Sequence, residues 1–146
     1  MDFFSSLTVS SSALSANRTR MNLISSNLAN AGTTRTPEGG PYKRKDAVFT
    51  ATPIASNPFE RALDGATAQQ VRTVEVERII EDQSPPRLQY DPGHPDANPQ
   101  GYVAMPNVNV VEEMADMIGA SRAYEANVTA VQAAKSMAMK TLEIGR

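Results

Sequence analysis

The sequence of 146 residues has no cysteine, no tryptophan and a single histidine. Without cysteine it can build neither a disulfide framework nor a thiolate metal site, and such a composition fits any redox compartment. Proline is missing from both ends, because all ten prolines fall between Pro37 and Pro106. Large core-forming residues are scarce as well. Val, Leu, Ile and Phe together make 28 of 146 residues, about 19%, at the level below which chains of high net charge are disordered. The net charge here is only −2. The chain is therefore short of core rather than self-repelling, and it is expected to bury surface against other chains or stay partly unfolded. No run approaches the roughly 18 apolar residues of a membrane span. The opening stretch MDFFSSLTVSSSALSANR carries Asp2 and no basic residue before Arg18. It lacks the basic and continuously apolar regions of a secretory signal, so export would leave the N-terminus uncleaved.

Proline-free ends are free to be helical. The stretch Asn107 to Arg146 reads as one long helix of about 36 residues, a rod of roughly 54 Å. Asn109 suits its N-cap, with Glu112 placed to close a capping box. Met114, Met117, Ser121, Tyr124, Val128, Val131, Lys135, Ala138 and Leu142 recur alternately three and four apart, a coiled-coil-like seam. Gly119, Ala120, Ala123, Ala126, Ala130, Ala133 and Ala134 make a second stripe of small residues that lets a neighbouring helix approach closely. Burial in an ordinary helical bundle would give the same period, and periodicity does not separate the two readings. At the other end Leu7, Leu14, Met21 and Leu28 are spaced by sevens. They predict an amphipathic helix of about 25 residues, started by Ser5 or Ser6 and ended by Asn30 and a left-handed Gly32. Its opposite face carries Ser11, Ser12, Ser15, Asn17, Arg18, Arg20 and Asn22. Such helices owe most of their stability to packing, so the two ends are expected to pair.

The middle reads differently. Gly32 to Pro41 is turn-rich. Ala47 to Thr50 suggests a short strand, and Val71 to Ile80, rich in β-branched residues, is the strongest strand candidate. Arg87 to Tyr90 suggests another. Pro53 to Gln70 reads as a loop with a helical turn near Phe59 to Leu63. Gly101-Tyr102-Val103 leads towards the final helix. Two or three short strands make a sheet that is marginal in water.

Two clusters invite chemistry. Tyr42-Lys43-Arg44-Lys45 is a basic patch beside an aromatic, a nucleic-acid signature when extended; four residues in a chain of pI near 5.4 point instead to a solvated or interfacial cluster. Asp91-Pro92-Gly93-His94-Pro95-Asp96 holds the only histidine between two carboxylates. With no second histidine, no cysteine and no Gly-rich phosphate loop, a stiff turn is the better reading. A small metal-dependent hydrolase built on His94 is the enzyme alternative.

At Ser26-Asn27-Leu28-Ala29-Asn30 the residues become familiar. SALSANRTRMNLISSNLANAGTTRT followed by YKRK resembles the N-terminal signature of bacterial flagellar rod and hook proteins. NVNVVEEMADMIGASRAYEANVTAVQAAKSM is similar to the C-terminal signature of the same family. EGGPYKRKDAVF and SPPRLQYDPGHPDANPQGYVAMPNVNV look like a short, proximal-rod member. Ser26 stands where the family pattern often has Asn, and Ala51 to Ala68 match no family motif. The resemblance implies a structural subunit of the basal-body rod that transmits torque and is neither an enzyme nor dependent on a cofactor or metal. It implies a mainly α fold, with long N- and C-terminal helices packed as an antiparallel coiled-coil-like hairpin and an irregular middle carrying short β-strands. The corresponding segments are 1–32 and 107–146, forming one helical domain, and 33–106 between them. Implied partners are further copies of the chain, proximal and distal rod subunits, the adaptor joining rod and MS ring, and the flagellar type III export apparatus. Nucleic acid and direct membrane insertion are not expected. The implied location is the periplasmic rod. Asn27, Asn30, Arg122, Tyr124 and Asn127 match the family motifs and join Leu7, Leu14, Met21, Leu28, Met114, Met117, Val128, Val131 and Leu142 as expected subunit-interface residues. A soluble helical export chaperone or adaptor is the alternative, against which the proline-rich, β-containing middle speaks.

Overall fold

The structure, a computed structural model, describes residues 3–54 and 71–145. A 27-residue helix α1 spans Phe3–Ala29. Strands β1 (Lys45–Pro53), β2 (Arg72–Glu81), β3 (Arg87–Tyr90) and β4 (Tyr102–Met105) follow, and helix α2 runs 35 residues, Val110–Ile144. The mainly helical ends and short antiparallel strands between them agree with the sequence reading. The helical turn expected at Phe59 to Leu63 lies outside the described residues.

α2 begins at the N-cap that its sequence suggests, although Glu112 makes no bond back to Asn109. Asn109 Oδ1 accepts the Val111 N–H at 3.2 Å, and its carbonyl takes the Glu113 N–H at 3.0 Å, satisfying donors that a helix start leaves open. α1 starts earlier and ends otherwise than expected. It is already helical at Phe3, ahead of Ser5 and Ser6. Gly32 is not left-handed; positive φ occurs only at Gly39, Gly40 and Gly101 among the described residues. Asn30 closes the helix with its side chain instead. Its Nδ2 donates to the Ser26 carbonyl at 2.9 Å, and its Oδ1 accepts from Thr33 Oγ1 at 3.2 Å. Those bonds supply carbonyl partners without a change of backbone hand.

The strands form two separate two-stranded sheets, β1–β2 and β3–β4. In the second, antiparallel sheet Arg87 faces Met105 and Tyr90 faces Tyr102. β4 has no counterpart in the sequence reading: four residues before Pro106 with no clean alternation give no strand signal of their own, and only the pairing with β3 makes them one. The hairpin closes at Gly101, whose φ of +83° places it in glycine's region. A Cβ there would come 2.8 Å from the Tyr90 ring, which packs edge-on against Tyr102 with centroids 5.3 Å apart.

The chain divides into two units, residues 1–19, 49–77 and 121–146 in one and 20–48 and 78–120 in the other. The first unit buries alanines, Ala16 and Ala134. There Ser12 Oγ accepts the Val74 N–H at 3.2 Å, and Thr73 Oγ1 donates to the Thr52 carbonyl at 3.1 Å. Ser12, expected on a solvated face, thus braces β2. The second unit buries Ile24, Val103, Pro106, Val108 and Ala120, together with two polar residues, Asn27 and Glu113. In this unit Arg20 pairs with Asp116 at 3.7 Å and Asn27 with Glu113 at 3.1 Å. Advancing along α1 means retreating along α2, so the helices run antiparallel there.

Candidate assembly surface and its buried polar anchor

The periodicity of α2 resolves into two faces. Glu113, Met117, Ala120, Tyr124, Asn127, Val131, Ala134 and Ala138 are buried or half-buried, alternately four and three apart. Met117, Tyr124, Val131 and Ala138 belong also to the seam read from sequence. At three other steps the more buried position lies one residue earlier, Glu113 beside Met114, Ala120 beside Ser121 and Ala134 beside Lys135, while Asn127 and Val128 are both half-buried. Met114, Arg122 and Leu142 are exposed, while Met117, Tyr124, Asn127, Val128 and Val131 are half-buried. Asn127 Nδ2 donates back to the Ala123 carbonyl at 2.8 Å.

On α1, Leu7, Leu14, Met21, Leu28 and Asn30 are half-buried and Asn27 is buried. Its exposed stripe is Phe4, Thr8, Ser11, Ser15, Arg18, Asn22, Ser25 and Ala29, alternately four and three apart. Apolar exposure instead concentrates on α2, at Val111, Met114, Ile118, Met137, Met139 and Leu142. A chain with little core thus leaves large apolar side chains in water along one long helix.

Beneath the start of that helix lies a polar cluster. Asn27 makes all four hydrogen bonds its amide allows. Its Nδ2 donates to the Lys45 carbonyl at 2.9 Å and to Glu113 Oε2 at 3.1 Å; its Oδ1 accepts from the Lys45 N–H at 2.9 Å and the Tyr42 hydroxyl at 3.0 Å. The other Glu113 oxygen takes Arg44 Nε at 2.5 Å, and Arg44 Nη1 reaches Asp46 at 3.3 Å. Burial works against the Arg44 charge, but the hydrogen bond and charge of Glu113, and then Asp46, outweigh it and hold the guanidinium above its ordinary pKa. Asn27 and Glu113 are each 1% exposed. A buried carboxylate is tolerated only when paired and hydrogen-bonded, and here both oxygens are.

Three of the four residues of the basic patch are engaged within the chain, and Lys43 is exposed. Tyr42 bonds Asn27 and Ser26, Arg44 bonds Glu113, and Lys45 Nζ lies 3.6 Å from Glu81. Asn27 was marked by motif and Arg44 by charge; Glu113 went unmarked because nothing local separates it from Glu112. The histidine turn is likewise internally engaged. His94 Nδ1 accepts the Asp96 N–H at 3.1 Å, and Asp96 takes the Thr34 hydroxyl at 2.8 Å. No group of three metal-ligating side chains occurs among the described residues, and none of their helices is long and apolar enough to cross a membrane.

A long helix with exposed apolar side chains, polar groups bonded within the chain and two thin sheets suit a structural subunit. Comparison with known proteins agrees. Residues 7–35 match the flagella basal body rod protein family, and residues 100–144 match the C-terminal family of flagellar basal body rod FlgEFG proteins. The flagellar basal-body rod protein FlgC of Borreliella burgdorferi is 47% identical over 99% of this chain and 98% of its own. That of Bacillus subtilis is 45% identical over the whole of both chains, and that of Salmonella typhimurium 42% identical over 94% of each. The chain belongs to the FlgC family of flagellar basal-body rod proteins. This decides against the chaperone alternative and against an enzyme.

Proposed function

We propose that this chain is a structural subunit of the bacterial flagellar rod, built into the basal body by repeated contacts with further copies of itself and with other rod proteins. The observation that carries the reading is the set of large apolar side chains that α2 leaves exposed, with Met114, Ile118, Met137 and Leu142 each more than half exposed. Large apolar side chains left exposed in such number along one helix suit burial against neighbouring chains. Subunits related by a screw make heterologous contacts that do not close, and so build a tube. In that tube segments 1–32 and 107–146 act as one axial helical domain with coiled-coil-like packing, and segment 33–106 joins neighbours. Leu7, Leu14, Met21, Leu28, Met117, Arg122, Tyr124, Asn127, Val128 and Val131 contribute to those contacts with Met114 and Leu142. Proximal and distal rod subunits and the adaptor to the MS ring are the neighbours, and the flagellar type III apparatus delivers the chain without cleaving it. Torque passes through interlocked helices, and no bond chemistry is needed.

Electron-microscopy density of isolated basal bodies tests the reading. The two long helices should fit the rod wall, and a basal body whose rod has no density for this chain would refute it.

A further inference from the structure

Helix faces made of small residues specify axial position poorly. Alanine has no rotamers to interlock, so one alanine-lined turn of a partner packs much as the next does. In the unit formed by residues 20–48 and 78–120, α2 offers Ala120 as a fully buried residue and Glu113 two turns before it. Only Glu113 has a directional requirement. Its oxygens are taken by Asn27 of α1 and by Arg44, which immediately precedes β1. Asn27 in turn grips the backbone N–H and carbonyl of Lys45, a contact that no side-chain change at position 45 removes. Three elements meet at one polar point, and no buried side-chain nitrogen or oxygen among the described residues lacks a hydrogen-bond partner.

We propose that the Asn27–Arg44–Glu113 cluster is a register lock, which sets the axial position of α2 against α1 and of both against β1. Sliding α2 by two turns, about 10 Å, would put Ala120 where Glu113 stands. Asn27 would lose an acceptor, Arg44 its carboxylate, and Glu113 both donors. Unpaired buried groups of this kind are what make a slipped register costly. A single polar residue fixing the register of paired helices is the best attested use of buried polarity.

The full-length chain is cysteine-free, so spin labels can be attached at Arg20→Cys and Asp116→Cys, replacing a half-exposed ion pair of little energetic value. Pulsed electron–electron resonance then reads their separation. With the cluster intact, one narrow distance is expected. In the triple variant Asn27→Leu, Arg44→Met, Glu113→Leu, circular dichroism should stay helical while a second, longer distance, reached by an axial slip of about 10 Å, becomes populated, at least about tenfold above the intact protein. Glu113→Gln, which keeps an acceptor for Asn27, should stay close to the single distance. A narrow unchanged distance in the folded triple variant would show that packing sets the register. Loss of helicity in the triple variant would make the cluster a stability element instead, and a broad distribution in the intact chain would show no register to lock. Each of these three results overturns the proposal.

Discussion

Asn27 and Glu113, 86 positions apart in the chain, meet side chain to side chain at 3.1 Å, each 1% exposed. One closes the last turns of the first helix, and the other opens the last helix. Removing either leaves the partner's polar atoms buried and unpaired, and the penalty falls on the junction of three elements rather than on one contact.

Glu113→Ala should therefore cost about 3–5 kcal/mol, the range for breaking a buried pair from one side. Glu113→Gln should cost less, because an amide oxygen still accepts from Asn27. Urea unfolding followed by circular dichroism compares them; equal stability of Glu113→Ala and the parent would mean that the carboxylate is not buried in solution.

Gly101→Ala should loosen the β3–β4 hairpin. A left-handed backbone costs a non-glycine residue roughly 1–2 kcal/mol, and the new Cβ would lie 2.8 Å from the Tyr90 ring. Amide exchange in Leu88 to Tyr90 and Tyr102 to Ala104 should quicken. Unchanged protection would contradict the closeness of that ring.

The exposed apolar side chains of α2 predict a separation of folding from assembly. Met114 is 55% exposed, so Met114→Asp should shift the stability of the free chain by no more than about 0.5 kcal/mol, yet abolish swimming while the variant is still secreted. Met117→Asp, at a half-buried position, should do both kinds of harm. Normal motility with Met114→Asp would remove this surface from the assembly.

Thiol labelling should change order on assembly. In the free chain Leu142→Cys, at a position 70% exposed, should react faster than Val74→Cys, whose position is half-buried. In assembled rods a bulky reagent added from the periplasmic side should reach Val74→Cys first, because Leu142 is then covered by neighbours. Persistence of the free-chain order inside rods would place Leu142 outside every contact.

Acid should act on one turn. The Ser84 side-chain and backbone hydrogen bonds, and after them the charge of Arg44, outweigh desolvation and hold the Asp82 carboxyl below its ordinary value of 3.8. A depressed carboxylate stabilises above its unfolded pKa and loses that contribution as pH falls through the folded one. The Ser84 amide resonance, bonded to Asp82 Oδ1 at 2.8 Å, should accordingly titrate with a midpoint below 3.8. A midpoint at or above it would remove the bond from the solution structure.

Local patterns determined a great deal unaided. Spacing by threes, fours and sevens and the confinement of proline to the middle mark both helices to within a few residues. β-branched runs mark β2 and, less fully, β1. Those signals are legible because each lives within a few turns or a few residues of chain. Only the tertiary structure decided which α2 residues turn inward, because burial is set by the neighbouring element: Ala120 and Ala134 are buried while Gly119, Ala126, Ala130 and Ala133 of the same small stripe are exposed. It alone made Tyr102 to Met105 a strand, through pairing with Arg87 to Tyr90. It also chose Glu113 over Glu112, since a carboxylate can be buried only where Asn27 and Arg44, remote in the chain, arrive to satisfy both of its oxygens.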